Sequence, residues 1–315
     1  MTWNAYLLKY RLASPIHIGD LALGNVQKTM FYIPGKTLWG AATAILTYAN
    51  FNSPSSQDYQ AVGEYVRQAV RFGYFFLEDE NDRYVPILTG AGLRYGSKSK
   101  LTQEEMENLF LYAEASTAII KNQFAADPST LHETEYLWPQ NRNDQTGAKK
   151  ICFSGYAYLC RENSDILTFP NDFSILNQLK TLFIGANRRM GNGKLALENS
   201  LIDIKPEQQD RKLPEPGKDD RIYYDRKHNK ILLAPEQHDI DIVAVSHLIY
   251  DRNISNGYVK GIVKPMVERE WEQGRNGASG AGQKITDAVI AWEPGSMFKS
   301  DQKVAVGNFG RWQFI

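Results

Sequence analysis

Apolar and polar residues alternate from residue 3 to residue 12, with Tyr6, Leu8, Tyr10 and Leu12 on one side. That period of two predicts a strand with one buried face. After the loop SPIHIGDLALGNVQKTMFYIPG the period changes. Leu38, Ala41, Ala42, Ile45, Leu46 and Ala49 recur at helical spacing, and the stripe begins just after Pro34 and Gly35, where a helix is expected to start. Tyr59, Val62, Val66, Ala69 and Val70 predict a second helix over 57–70. The runs RFGYFFL (71–77) and RYVPIL (83–88) flank the acidic turn EDEND, which reads as a hairpin. Thr102 and Glu105 form a capping box ahead of a short helix through Tyr112.

From Glu114 to Trp138, two strand-like arms enclose a polar, alanine-containing tip, the pattern of a long hairpin projecting from the body. A strand over 150–160, a helix near 172–182, a glycine-rich loop and a strand over 193–203 complete the first half. Strands and helices in this order imply an α+β sandwich with helices on one face of an antiparallel sheet, and a ferredoxin-like (RRM-like) βαββαβ unit is the natural candidate. Residues 205–221, KPEQQDRKLPEPGKDDR, carry three prolines among dense charges and read as a linker. Beyond it, IYYD and KILLA bracket a turn, and Ile240, Val243, Ala244, His247 and Leu248 recur at helical spacing. The strands VIAW and VAVG follow. The expected organisation is a first domain over 1–204 and a second, degenerate ferredoxin-like copy over 222–315.

Composition narrows the chemistry. Thirty-six basic residues balance thirty-six acidic ones over 315 residues, which argues against indiscriminate nucleic-acid binding but leaves room for local basic surfaces. No apolar run approaches bilayer length and no signal-peptide pattern opens the chain, so a cytoplasmic protein without a membrane partner is expected. Cys152 and Cys160, at even separation on one strand face, read as buried free thiols. His132, His228, His238 and His247 share no ligand spacing, so neither metal nor cofactor is expected. His17 beside Asp20 is a candidate general base, although a satisfied structural histidine is the favoured reading. The run GRNGASGAGQKIT (274–286) lacks P-loop spacing and reads as a flexible loop carrying Arg275 and Lys284. Tyr32, Tyr95, Tyr136 and Trp138 suit base stacking and sheet packing equally well.

One stretch concentrates charge. From Lys180 to Lys194, four basic residues occur with no acidic one, interrupted by Gly185, Gly191 and Gly193. Glycine permits positive φ and close backbone approach, so these amides together with Arg188, Arg189 and Lys194 suit a phosphate backbone. A turn that simply ends a helix is the equal alternative. Lys28 and Lys36 form a second basic corner. In a βαββαβ fold the two corners are expected to converge on one groove.

Three stretches then resemble a known group. SPIHIG with YIPGKTLWGAA (14–19 and 32–42), STAIIKNQFAADPSTLHETEYL (116–137) and FIGANRRMGNGKL (183–195) occur in the order and spacing of the RAMP superfamily of CRISPR-associated proteins. The layout is most similar to the type III subunits of the Cas five group, which cap the 5′ end of the guide. This resemblance implies a non-catalytic CRISPR RNA-binding subunit of an antiviral type III interference complex. Its RNA contacts would be Lys28, Lys36, Thr37, Gly185, Asn187, Arg188, Arg189, Gly191, Gly193 and Lys194, with a thumb tip of Lys121, Asn122, Gln123 and Phe124. Its partners would be guide RNA, a large polymerase-like subunit, backbone RAMP subunits and, indirectly, target RNA. Two alternatives stand beside it. One is a RAMP ribonuclease working through His17 or Asp20, and the other a protein-interaction scaffold without RNA contact. The loop LGNVQKTMFY carries no acid where target-cleaving backbone subunits have an aspartate, and Trp39 replaces a basic residue common in the superfamily.

Overall fold

The computed structural model of the protein describes residues 3–120, 125–127, 130–143, 150–160, 172–198, 202–203, 212–215, 218–225, 230–233, 241–251, 259–273, 279–299 and 304–315. The thumb-tip residues Lys121, Asn122, Gln123 and Phe124, with His228, His238 and Arg275, lie outside them.

Strand β1 (Trp3–Leu12) is the spine. It pairs antiparallel with Cys152–Cys160 from Trp3↔Cys160 to Arg11↔Cys152, and on its other edge with Lys194–Leu197. Cys152–Cys160 in turn takes Phe75–Glu78. The strand order is therefore fourth, first, third, second of a βαββαβ unit. Helices α1 (Gly35–Asn50) and α2 (Ser56–Ala69) connect the first strand to the second, and Asp172–Gln178 connects the third to the fourth. The capping box expected at Thr102 and Glu105 is present and opens a helix over Gln103–Phe110.

Alternation along β1 serves two cores. Tyr6, Leu8, Tyr10 and Leu12 pack with Leu38, Leu46, Val62 and Val66 of α1 and α2. Trp3 and Ala5 face the other way and join Ile231, Leu248, Val304 and Trp312 from the C-terminal part. Each such leucine or tryptophan withdrawn from water contributes on the order of 2 kcal/mol. The sheet is thus buried on both faces, by helices on one and by strands on the other. Cys152 and Cys160 are buried and unbonded to each other, as expected, and burial pushes the Cys152 thiol up to about 12.

Several local expectations need correction. Residues 71–77 and 83–88 do not form a hairpin with each other. Val70–Phe72 and Phe75–Glu78 both pair with Cys152–Cys160, and only a Glu78–Arg83 bridge spans the acidic turn. The Asp79 carboxylate accepts from the amides of Asn81 (2.8 Å) and Asp82 (3.1 Å), which folds the turn on itself, and Pro86–Thr89 pairs instead with Gly92–Tyr95. Where the spacing of Ile240 to Leu248 predicts a helix, the described residues 241–248 contain none. Asp241–Val243 and Leu248–Ile249 are strands that pair with Met297–Lys299 and with Val289–Trp292. The β-branched run around Ile242 gains ladder partners there that a helix would forgo. Within the expected linker, Lys212–Glu215 pairs with Lys218–Asp225, and Ser279–Ile285 pairs with Arg269–Gln273 where a flexible loop was expected. Among the described residues after 204, the strands dominate and the helical content is a 3-10 turn at Asn308–Gly310.

The two arms of the hairpin expected over 114–138 pair with each other, but His132–Leu137 also pairs parallel with Val26–Thr29, so the root is part of a four-stranded sheet rather than a free projection. Leu111–Ser116 pairs with His132–Leu137 from Leu111↔Leu137 to Ser116↔His132. Further out, the Thr117 hydroxyl donates to the Asp127 carbonyl (2.6 Å), and the Ala118 amide donates to Thr130 Oγ1 (2.8 Å). No helix among the described residues is long and apolar enough to cross a membrane.

Candidate nucleic-acid interface

The glycine-rich loop leaves strand Thr181–Phe183, turns through the 3-10 segment Arg188–Met190 and re-enters the sheet at Lys194. Its glycines are needed for close approach. A Cβ on Gly185 would lie 2.1 Å from the His17 carbonyl oxygen, and one on Gly193 would lie 1.9 Å from that of Ile184. The loop is stitched to the SPIH segment: the Gly193 amide donates to Pro15 O (2.7 Å), Ala186 to His17 O (3.1 Å) and Lys194 to Ser14 Oγ (2.9 Å). The Gly191 amide donates to Arg188 O (3.1 Å). The Gly191 amide therefore serves the loop itself and the Gly193 amide ties it to the SPIH segment, which corrects the expectation that they face an anion. What the loop presents outward is side chains. Arg188, Arg189 and Lys194 are exposed, and among the described residues the arginine pair has no carboxylate partner. Asn187 holds a left-handed backbone (φ 55°) and donates from Nδ2 to the Tyr136 hydroxyl (2.6 Å), fixing the loop against the root of the thumb.

The first basic corner is built differently. Lys28 is paired with Glu135, whose other oxygen accepts the Thr29 amide at 3.2 Å. The hydrogen bond from the Lys28 ammonium to Glu135 raises the Lys28 pKa. Lys36, with only 13% of its side chain exposed, donates to Glu268 at 2.6 Å and lies over the Phe309 ring. Both lysines are thus neutralised within the chain, contrary to the expectation of two free phosphate contacts. Trp39 donates from its indole to Gly63 O (2.9 Å) and packs on Phe309, so its place in the motif is structural. Glu135 and Glu268 were not singled out by sequence, although HETEYL puts a carboxylate on the inward face of a strand, a signal that a cation is needed opposite.

The two corners nevertheless meet. Lys36, Thr37, Gly185 and Arg188 line one cleft of about 910 Å³ between α1, α2 and the loop, joined by Phe183 and Arg269. Phe183 is 43% exposed, and Gly40 and Ala44 form a smooth floor on α1. Lys28, Asn187 and Tyr136 gather on the thumb side of the same loop.

His17 is 5% exposed, and its Nδ1 bonds the Glu135 carbonyl at 2.8 Å, the satisfied histidine that the sequence favoured. Asp20 is paired with Lys264, which also reaches Glu293 at 3.3 Å. The two side chains face separate partners and make no dyad.

No protein-family model matches the sequence, and no curated protein matches it. Solved structures do. A chain of the type III-B Cmr-beta bound to cognate target RNA and AMPPnP, solved by cryo-EM, superposes with a TM-score of 0.55 at 14% identity, covering 94% of this chain and 86% of that one. A chain of the type III-B Cmr-beta bound to cognate target RNA gives 0.53 at 13% identity, over the same shares. At such identity the likeness is one of fold: this chain shares the α+β fold of a chain in the type III-B Cmr-beta structures.

Proposed function

We propose that this chain is a non-catalytic guide-RNA-binding subunit of a type III interference complex, most like the Cas five group, holding the guide near its 5′ handle. It works beside a large polymerase-like subunit and backbone RAMP subunits and meets target RNA through the guide. On this reading residues 1–204 are the RNA-facing ferredoxin-like domain, and 222–315 are its degenerate second copy. The observation that carries the proposal is the exposed pair Arg188 and Arg189, without a carboxylate partner among the described residues, with Arg188 lining the 910 Å³ cleft. Guanidinium groups without an internal partner keep their full charge for phosphate, whereas Lys28 and Lys36 spend theirs within the fold.

Salt dependence is the direct test. Each phosphate neutralised on a single strand contributes about 0.7 to the slope of log K against log salt. Arg188→Ala with Arg189→Ala is expected to weaken binding to guide RNA and flatten that slope by about 1.4, while the melting temperature stays within a few degrees of the parent. Lys28→Ala is expected to leave the slope unchanged. Unaltered affinity of the arginine variant at every salt concentration would overturn the assignment.

A further inference from the structure

Among the described residues, an aromatic pair at the root of the thumb belongs to neither hydrophobic core. Tyr112 is 42% exposed and Trp138 39% exposed, yet their ring centroids lie 5.1 Å apart at an interplanar angle of 50°. Large rings left in water are normally scattered singly, and a contiguous exposed pair marks a surface that something covers. Register explains how the pair is held. Tyr112 lies directly across from Tyr136, and Trp138, two residues beyond Tyr136, sends its amide to Phe110 O (2.9 Å). Residues opposite each other, or two apart on one strand, share a face. Tyr136 itself is buried, capped by Asn187 of the glycine-rich loop at 2.6 Å and edge-on to His17. The pair therefore flanks the spot where the loop docks, one residue along the chain from Arg188.

Charge around the pair is lopsided. Arg142 is exposed beside it, with its amide fixed to Leu109 O (3.1 Å), and the Arg188 and Arg189 pair closes the loop side. Glu114 is two residues from Tyr112 on the same strand face, towards the thumb tip, and is exposed. An anionic backbone is thus drawn to the loop side and turned away from the tip, while the rings remain free for an uncharged planar group.

We infer that Tyr112 and Trp138 form a stacking platform for one unpaired base of a single-stranded RNA, the base whose neighbouring phosphate is held by Arg188 and Arg189. This inference rests on the RNA-binding reading above and adds to it a base-contacting element on the far side of the loop from the cleft. Stacking on rings is tolerant of base identity, because every base has a π-face. The platform accordingly contributes affinity and position rather than sequence choice.

The test uses the full chain and a short single-stranded RNA of mixed sequence, with a set of copies that each lack one base. Removing a base from an aromatic platform, or the platform from a base, weakens binding about 5- to 100-fold. Tyr112→Ala with Trp138→Ala is expected to show that loss with the salt slope unchanged, since no phosphate contact is removed. Tyr112→Phe with Trp138→Phe is expected to restore binding, since the rings and not their polar tips are required. On the unaltered chain one abasic copy is expected to bind 5- to 100-fold more weakly, and the alanine variant is expected to make no distinction between that copy and the intact strand. If every abasic copy binds the unaltered chain as the intact strand does, or the alanine variant binds normally while the Arg188 and Arg189 variant is weakened, the platform is wrong and the groove stands. If the unaltered chain binds no RNA, both fall together.

Discussion

Two glycines in one loop separate conformation from space. Gly191 (φ 90°) has nothing within 4 Å of the position a Cβ would take, whereas Gly193 (φ 79°) would drive one to 1.9 Å from a backbone oxygen. A left-handed backbone costs a substituted residue about 1–2 kcal/mol. A clash with main chain adds more, because the backbone carbonyl of Ile184 cannot swing aside as a flexible side chain would. Gly191→Ala is therefore expected to cost about 1–2 kcal/mol and Gly193→Ala above 3 kcal/mol, read as shifts in urea midpoint at unchanged m. Equal costs would show that the loop yields at Gly193, and that it is not clamped to the SPIH segment. The same loop shows how neighbours decide the use of a charge. Arg188 and Lys28 are both cationic, but Lys28 has a carboxylate in reach and Arg188 has none among the described residues. That difference makes one a fold contact and leaves the other exposed.

Between elements, the joint of consequence is where the start of α1 meets the C-terminal turn Asn308–Gly310. Gly35 opens α1 so tightly against this turn that a Cβ would lie 2.2 Å from Phe309 O and 2.3 Å from Phe72 O. Glu268 accepts from both Lys36 and Arg311, and both cations lie over the Phe309 ring, at 5.2 and 5.4 Å. All three charged side chains are at most 21% exposed, so removing the carboxylate takes from two half-dry cations the anion they share. Glu268→Gln is expected to lower unfolding free energy by about 3 kcal/mol, and adding Lys36→Met to recover part of it, as a denaturation cycle would report. Additive losses would mean the two charges are not coupled. This joint also marks where sequence reading stops. Both long helices, the capping box and the thumb hairpin were legible because each is specified by residues close in the chain. So was the arginine pair, exposed in a run without carboxylates. The neutralisation of Lys28 and Lys36 was not, because their partners lie 107 and 232 residues away. Nor was the strand pair at 241–249, where apolar spacing fits a helix and long-range pairing overrides it. The aromatic character of Tyr136 and Trp138 was visible, but Tyr136 is the buried ring because Asn187 and His17, distant in sequence, close over it and leave Trp138 exposed.

Across the whole molecule the second core ties the halves together, and one buried histidine sits in the tie. His247, from the C-terminal part, bonds the Tyr74 hydroxyl at 2.6 Å beneath the central sheet, with the Tyr32 ring edge-on to it. Burial, reinforced by the nearby Arg311 and Lys264 cations, pushes its pKa down to about 3. The folded chain therefore keeps His247 neutral, while the unfolded chain protonates it near the ordinary value of about 6.5. Between those two values the unfolded state binds the extra proton, so stability falls as pH falls, by about 1.4 kcal/mol per pH unit. From pH 6.5 to pH 5 the chain is expected to lose about 2 kcal/mol. Because Trp3, Phe76 and Tyr158 of the first half share this core with Val304 and Trp312 of the second, the loss should appear in one transition rather than two. Urea unfolding at pH 7, 6 and 5 checks it: the midpoint of the parent should fall with pH, and that of His247→Phe, lower at neutral pH for want of the Tyr74 bond, should stay level. Parallel decline in both proteins would place the acid sensitivity elsewhere. A separate early transition would show that the C-terminal strands leave the sheet alone, exposing the face that Trp3 and Tyr158 now bury.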